Sequence, residues 1–371
     1  MDHRTRLFAA AGATVCLFVL VQLGALALAA PFVEAGFQAV EDPSDPTNSL
    51  LYIGAILVAT AFMLAAFRWN LQWLVRGTII LVSALLSWYV FVVLVPPVVT
   101  VAGFNVLALL GAIAIAIGLL VHPEWYVIDA AGIVMGAGAA ALFGISFGLL
   151  PALVLLIVLA VYDAISVYGT EHMLSLAEGV MDIKLPVILV IPVTLSYSFL
   201  AESSPDDDGD DPASAAGDEQ DGEVPVDDRG NGLDEVQGGK TNDDPADGQD
   251  DDRSGRTDAD ADDGLDDAGF ERDALFIGLG DAVIPAVLVV SAAVFAPAES
   301  LSIPGVVVNL PAVTAMIGIV LGLIVLLWMV LQGRPHAGLP LLNGGAIAGY
   351  LVGALASGLS LLEALGLAPY F

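Results

Sequence analysis

Runs of apolar residues long enough to cross a lipid bilayer recur along the chain. They constrain its fold more than any other feature. A helix needs about 20 apolar residues to span the hydrocarbon core. Nine stretches qualify: Leu7–Ala30, Leu50–Phe67, Arg76–Val95, Val99–Val121, Tyr126–Phe147, Leu149–Gly169, Ala274–Pro297, Val306–Leu331 and Leu339–Leu361. The breaks between them are rich in Pro, Gly or charge, as in Glu41-Asp42-Pro43, Pro96-Pro97 and His122-Pro123-Glu124. In lipid every backbone polar group must be satisfied within the chain, so such segments are predicted to be helical. The expected fold class is therefore an all-α polytopic membrane protein of nine transmembrane helices. Leu7–Ala30 follows Arg4 and Arg6 as a signal peptide would, but its 24 residues are long for an h-region. More spans follow, and it is read as a retained first helix.

The charge excludes a uniform surface. Only 14% of residues are charged, yet the net charge is −31. Residues 202–273 hold 28 acidic and 5 basic residues, hence −23; the other 299 carry 14 and 6, hence −8. The chain thus divides into residues 1–169 with six spans, an inner-surface segment 170–201, an acidic tract 202–273, and residues 274–371 with three spans. The tract is dominated by Asp, Gly, Pro and Ser and has too few large apolar groups to offset the entropy of ordering, so a disordered loop is expected. Its Asp-dominated excess resembles the surfaces of proteins from salt-loving archaea. Cys16 is the single cysteine, so no intrachain disulfide forms, and His3, His122, His172 and His336 lack ligand spacing. No metal, cofactor or nucleic-acid partner is expected.

Orientation follows from the basic residues outside the acidic tract. Arg4 and Arg6 precede span one, Arg68 and Arg76 join spans two and three, Lys184 follows span six, and Arg334 lies between spans eight and nine. With nine spans all six fall on one side. The positive-inside rule then puts the N-terminus and acidic loop in the cytoplasm and the C-terminus outside. Small residues recur at every fourth position in span five (Gly132, Gly136, Ala140, Gly144) and span nine (Gly345, Gly349, Gly353, Ser357). Such ridges let helices approach closely and report packing, not chemistry.

Acids inside spans carry more information, because an ionisable group in lipid costs roughly 2.5–3.5 kcal/mol on insertion scales. Asp129 falls in the first turn of span five, as an interfacial cap, and Glu363 trails span nine. Asp163 lies 6 residues before Gly169, and Asp281 lies 7 residues after Ala274. At 1.5 Å per residue both are roughly 10 Å below the same surface. Spans six and seven are antiparallel, so the two carboxyls can face one another. Such a pair titrates as a unit, one acid keeping its proton while the other stays ionised. It can activate a water and protonate an opposing carbonyl. The same acids could instead carry protons or cations in a coupled transporter, or each bond its own partner in a non-catalytic scaffold. A transporter would be expected to show internal repeats, and none is evident.

The local sequences distinguish these readings. Span six contains Tyr162-Asp163, span seven contains Gly278-Leu279-Gly280-Asp281, and span nine opens with Gly338-Leu339-Pro340-Leu341. A Tyr-Asp pair, Gly-x-Gly-Asp and a Pro/Ala/Leu-type turn, in that order of spans, resemble the presenilin and signal peptide peptidase family, and most closely its archaeal presenilin homologues. The literal Pro-Ala-Leu triplet is missing. The inferred orientation is that of presenilins.

The resemblance implies an intramembrane aspartyl endopeptidase with Asp163 and Asp281 as its catalytic pair. Tyr162, Gly278, Gly280, Gly338, Leu339, Pro340 and Leu341 would form the rim of the site. The glycines would admit span six and a substrate backbone within an irregular helix. The substrates would be transmembrane helices of other proteins, within the bilayer, and homo-oligomers are compatible with the sequence. One stretch is left over. Leu185–Leu200 holds Pro186 and Pro192 and many Val, Ile, Thr and Tyr residues, and it follows the amphipathic run Glu171–Met181. It suits either an interfacial linker or a strand that pairs with unwound substrate.

Overall fold

The computed structural model of the chain describes residues 3–69, 71–169, 188–192, 274–332 and 337–368. The acidic tract, the run Glu171–Met181, Lys184, Arg334 and most of Leu185–Leu200 lie outside them. The described residues all fall in one unit, drawn from Met1–Ser203 and Glu271–Phe371.

Six helices lead: α1 (His3–Glu34), α2 (Thr47–Arg68), α3 (Gln72–Leu94), α4 (Val106–Val121), α5 (Trp125–Ser146) and α6 (Leu149–Gly169). Three more follow the acidic tract: α7 (Leu279–Phe295), α8 (Leu310–Val330) and α9 (Gly338–Ala356), with a single turn, α10 (Leu361–Ala364), after them. Among the described residues, seven helices are long and apolar enough to cross a membrane. The exceptions, α4 and α7, have 16 and 17 residues. At 1.5 Å per residue they reach about 25 Å, short of the ~30 Å core.

Both short helices are preceded by extended chain, and here the predicted spans need correction. Span four does not begin at Val99. Strands β1 (Thr100–Val101) and β2 (Phe104–Asn105) form an antiparallel hairpin first. Its turn has φ 50° at Ala102 and 85° at Gly103, the left-handed pair that a two-residue hairpin turn requires. Asn105 then caps α4, its side chain accepting from the Ala108 N–H at 3.4 Å. Span seven does not begin as a helix at Ala274. Residues Ala274–Gly278 are a strand, β4, paired antiparallel with β3 (Ile188–Pro192), with Val190 opposite Phe276. A short apolar run cannot be told from a helix end by periodicity, and here a distant partner strand decides. The all-α expectation therefore holds for the bundle and fails at these two hairpin-like pairings. Spans eight and nine are also trimmed: α8 starts at Leu310 behind its cap Asn309, and α9 stops at Ala356.

Helix α7 is the centre. It packs against α1, α5, α6, α8 and α9, and Leu288, Val289, Val290, Ser291 and Ala292 are fully buried. Glycines make this density attainable. A Cβ at Gly144 of α5 would collide with Val290. Helices α8 and α9 cross with backbones in contact, since a Cβ at Gly318 would strike the Gly345 carbonyl oxygen and one at Gly345 the Gly318 carbonyl. At the end of the bundle where α5 turns into α6, the loops are tied down by hydrogen bonds. The Gly148 N–H donates to the Pro43 carbonyl at 2.7 Å and the Ser49 hydroxyl to the Pro151 carbonyl at 2.9 Å. Nearby, Tyr350 donates to the Ala364 carbonyl at 2.6 Å.

Candidate active site

The opposite end of the bundle gathers three helix ends. Helix α6 arrives with Asp163 two turns before Gly169. Helix α7 starts at Leu279 behind Gly278, whose extended backbone (φ −60°, ψ 130°) passes strand β4 into the helix and puts Asp281 in the first turn. Helix α9 starts at Gly338 behind Ala337. A helix start leaves backbone N–H groups without intrahelical partners and favours a nearby anion. Pro340 sits in the first turn of α9, where its missing N–H costs nothing.

The two intramembrane acids meet at that helix start. The Leu339 N–H donates to Asp163 Oδ2 at 3.1 Å. One residue earlier, a Cβ at Gly338 would lie 3.3 Å from Asp281 Oδ2. Asp163 and Asp281 thus stand beside consecutive residues of one helix start, and both are half-buried. Two carboxyls so placed can hold one proton between them, leaving one acid and one base side by side.

The remaining motif residues divide. Gly278 and Gly280 are exposed, and they stand not inside an irregular helix, as expected, but at the junction of strand and helix. Among the described residues, a Cβ at Gly278 would approach only Asp281 (3.5 Å to Oδ2), and one at Gly280 only Ile284 (3.9 Å). Among the described residues, neither position is approached by α6. Leu339 holds Asp163 through its backbone N–H, and Gly338, lacking a side chain, leaves room for Asp281. Leu341 turns its carbonyl toward Gly322 of α8, so its backbone belongs to the α8–α9 crossing. Tyr162, next to Asp163, is 56% exposed and faces outward from the bundle. Counting residues along one continuous helix gave both acids the same depth; strand β4 breaks that count, and it is the start of α9 that brings them together.

One residue was not singled out by the sequence, and another was singled out but read differently. Asn343, one turn beyond Leu339, is fully buried and donates from Nδ2 to the Leu156 carbonyl of α6 at 2.9 Å. It ties α9 to α6 behind Asp163. Asp129 is not an interfacial cap: it is the fifth residue of α5, 7% exposed, and its Oδ1 accepts the Val190 N–H of β3 at 2.8 Å. An intramembrane acid was the available signal, but its partner lies 61 residues away. Among the described residues no three His, Cys, Asp or Glu side chains come together as a metal would need.

Comparison with known proteins agrees with this geometry. Residues 15–359 match the family model described as signal-peptide peptidase, presenilin aspartyl protease. Two solved structures of a presenilin-family intramembrane aspartate protease superpose on the chain. The one in space group C222 is 29% identical, with a TM-score of 0.56, covering 93% of this chain and 99% of that one. The one in space group P2 is also 29% identical, with a TM-score of 0.54, covering 93% and 97%. No curated protein matches in sequence. With the match running through nearly all of the bundle, the chain belongs to the signal-peptide peptidase and presenilin family, and is a multi-pass intramembrane aspartyl protease.

Proposed function

We propose that Asp163 and Asp281 are the catalytic pair and that the enzyme hydrolyses peptide bonds within transmembrane segments of other membrane proteins. The observation that carries this is their convergence on Gly338–Leu339, one carboxylate on the Leu339 N–H and the other beside Gly338. The ionised carboxyl takes a proton from water as the water oxygen bonds to the scissile carbonyl carbon. The protonated carboxyl gives its proton to the carbonyl oxygen. When the tetrahedral intermediate collapses, the C–N bond breaks and the amine leaves with a proton from the pair. Gly278 and Gly280 leave room for an extended substrate backbone beside Asp281.

Within Leu185–Leu200, the described residues Ile188–Pro192 are already engaged and do not favour a role as the substrate-pairing strand. Both edges of Ile188–Pro192 are occupied, one by β4 and the other by α5 through Asp129. The orientation we favour puts the acid-bearing end in the cytoplasm, because Arg4, Arg6, Arg68, Arg76, Lys184 and Arg334 all lie at that end of their spans. Water would then reach the pair from that surface.

The test is incubation of the purified protein with a single-span substrate, with and without an aspartyl-protease inhibitor that mimics the tetrahedral intermediate. Mass spectrometry should find cleavage inside the span, suppressed by the inhibitor. Cleavage confined to the flanks of the span, or insensitive to the inhibitor, would overturn the proposal.

A further inference from the structure

We propose that Asp129 is a positioning residue that holds strand β3 against α5 and thereby sets where β4, and with it Asp281, stands relative to a substrate. This rests on the protease reading above. Asp129 is an acid in a membrane span, 7% exposed, that the hydrolysis does not use. Such a group is expensive in lipid and is retained only where it has a partner. Its partner is the backbone N–H of Val190, at 2.8 Å, in the middle of β3.

That bond also explains how a strand can lie at membrane depth. Non-helical backbone is tolerated there only where its polar groups are satisfied by protein or face a cavity. The Val190 N–H points to α5, so Val190 and Phe276 form a pair that does not exchange ladder bonds, and the ladder runs through the flanking pairs Leu189–Ile277 and Ile191–Leu275. Asp129 thus caps the edge of β3 that β4 leaves.

A second, independent contact lies one helical turn along α5. A Cβ at Gly132 would stand 3.0 Å from Leu189 and 3.7 Å from Leu279; at Gly136 it would stand 3.1 Å from Leu279. One face of α5 therefore grips β3 by its backbone, receives the next β3 side chain, and receives the first residue of α7, two positions before Asp281. A register slip of one residue would turn the β3 side chains to the other face and shift β4 with them.

The experiment compares Asp129→Ala and Asp129→Asn in the full-length protein by two readouts. Amide hydrogen exchange should show faster exchange at residues 188–192 and 274–278 in Asp129→Ala, and wild-type exchange in Asp129→Asn, whose side-chain oxygen still accepts. Against a single-span substrate, Asp129→Ala should cleave about 10–100-fold more slowly, as expected for a misplaced reacting group. Its products should scatter over neighbouring bonds, and Asp129→Asn should restore both rate and product pattern. Unchanged exchange in Asp129→Ala overturns the proposal, as does an Asp129→Asn protein as impaired as the alanine variant, or slower cleavage at unaltered bonds. Should Asp129→Ala fail to fold, Gly132→Ala displaces Leu189 without touching the acid. It should scatter the products in the same way, and an unchanged pattern refutes the idea. A wild-type protein that cleaves nothing would remove the protease reading, while the exchange data would still decide whether Asp129 holds the strand.

Discussion

Helices α2 and α7 are both apolar and both near membrane length, yet they live in opposite surroundings. Along α2, Leu50, Leu57 and Val58 are 68%, 55% and 70% exposed, as apolar faces turned toward lipid would be. Along α7, Leu288 and Val289 are fully buried and every neighbour is protein. Lipid tails are as apolar as Leu, so hydrophobicity does not sort the two. Close packing does. Helix α7 is met by glycines on α5, whereas a Cβ at Gly54 of α2 would meet nothing within 4 Å among the described residues. The helix that every neighbour fixes is also the one that bears an acid in its first turn, where small errors of position are costly to chemistry.

The strongest way to sharpen this contrast is to remove the acids. Asp281→Asn on α7 and Asp163→Asn on α6 should each lower substrate cleavage by about 10⁴-fold or more, because members of a catalytic unit fail together. Each variant should unfold at the wild-type temperature. Near-normal cleavage by either would break the assignment of the pair.

Next comes packing around α7. Gly144→Ala would drive a Cβ into Val290, 2.6 Å from its Cγ1 and 3.2 Å from the Val287 carbonyl. Overpacking of this kind costs about 1–3 kcal/mol, to be read as a lowered unfolding midpoint in detergent. A wild-type midpoint would mean that α7 is looser than its burial implies.

A smaller effect is expected from pH. The mechanism we propose needs one ionised and one protonated carboxyl. Below the lower of the pair's two titrations the base is lost, and above the higher the acid is lost. Cleavage should fall by up to about tenfold per pH unit on either side of an optimum. A rate that is level from mildly acidic to alkaline pH, with the protein folded throughout, would exclude a shared proton.

The smallest effect belongs to α2. Gly54→Ala should raise stability by no more than about 1 kcal/mol, through helix propensity, and leave cleavage unchanged. If it costs as much as Gly144→Ala, then something covers α2 and the contrast with α7 fails.

Nine apolar helices were legible in the chain alone, because lipid leaves a crossing segment one backbone solution, although two of them are shorter than the apolar runs that announced them. The sequence also marked Asp163 and Asp281, since an acid in a span is too expensive to be incidental, and it pointed to Gly338–Leu339 through motif order. Tertiary structure decided the rest. Ala274–Gly278 is apolar enough for a helix end, and only pairing with Ile188–Pro192 makes it a strand. Asp129 reads as a helix cap until β3 is brought across from 61 residues away. The convergence of the two acids on Gly338–Leu339 depends on where α9 begins, not on counting down α6 and α7. Each of these turns on a partner remote in the chain, and neither periodicity nor local propensity carries information about which remote segment will arrive.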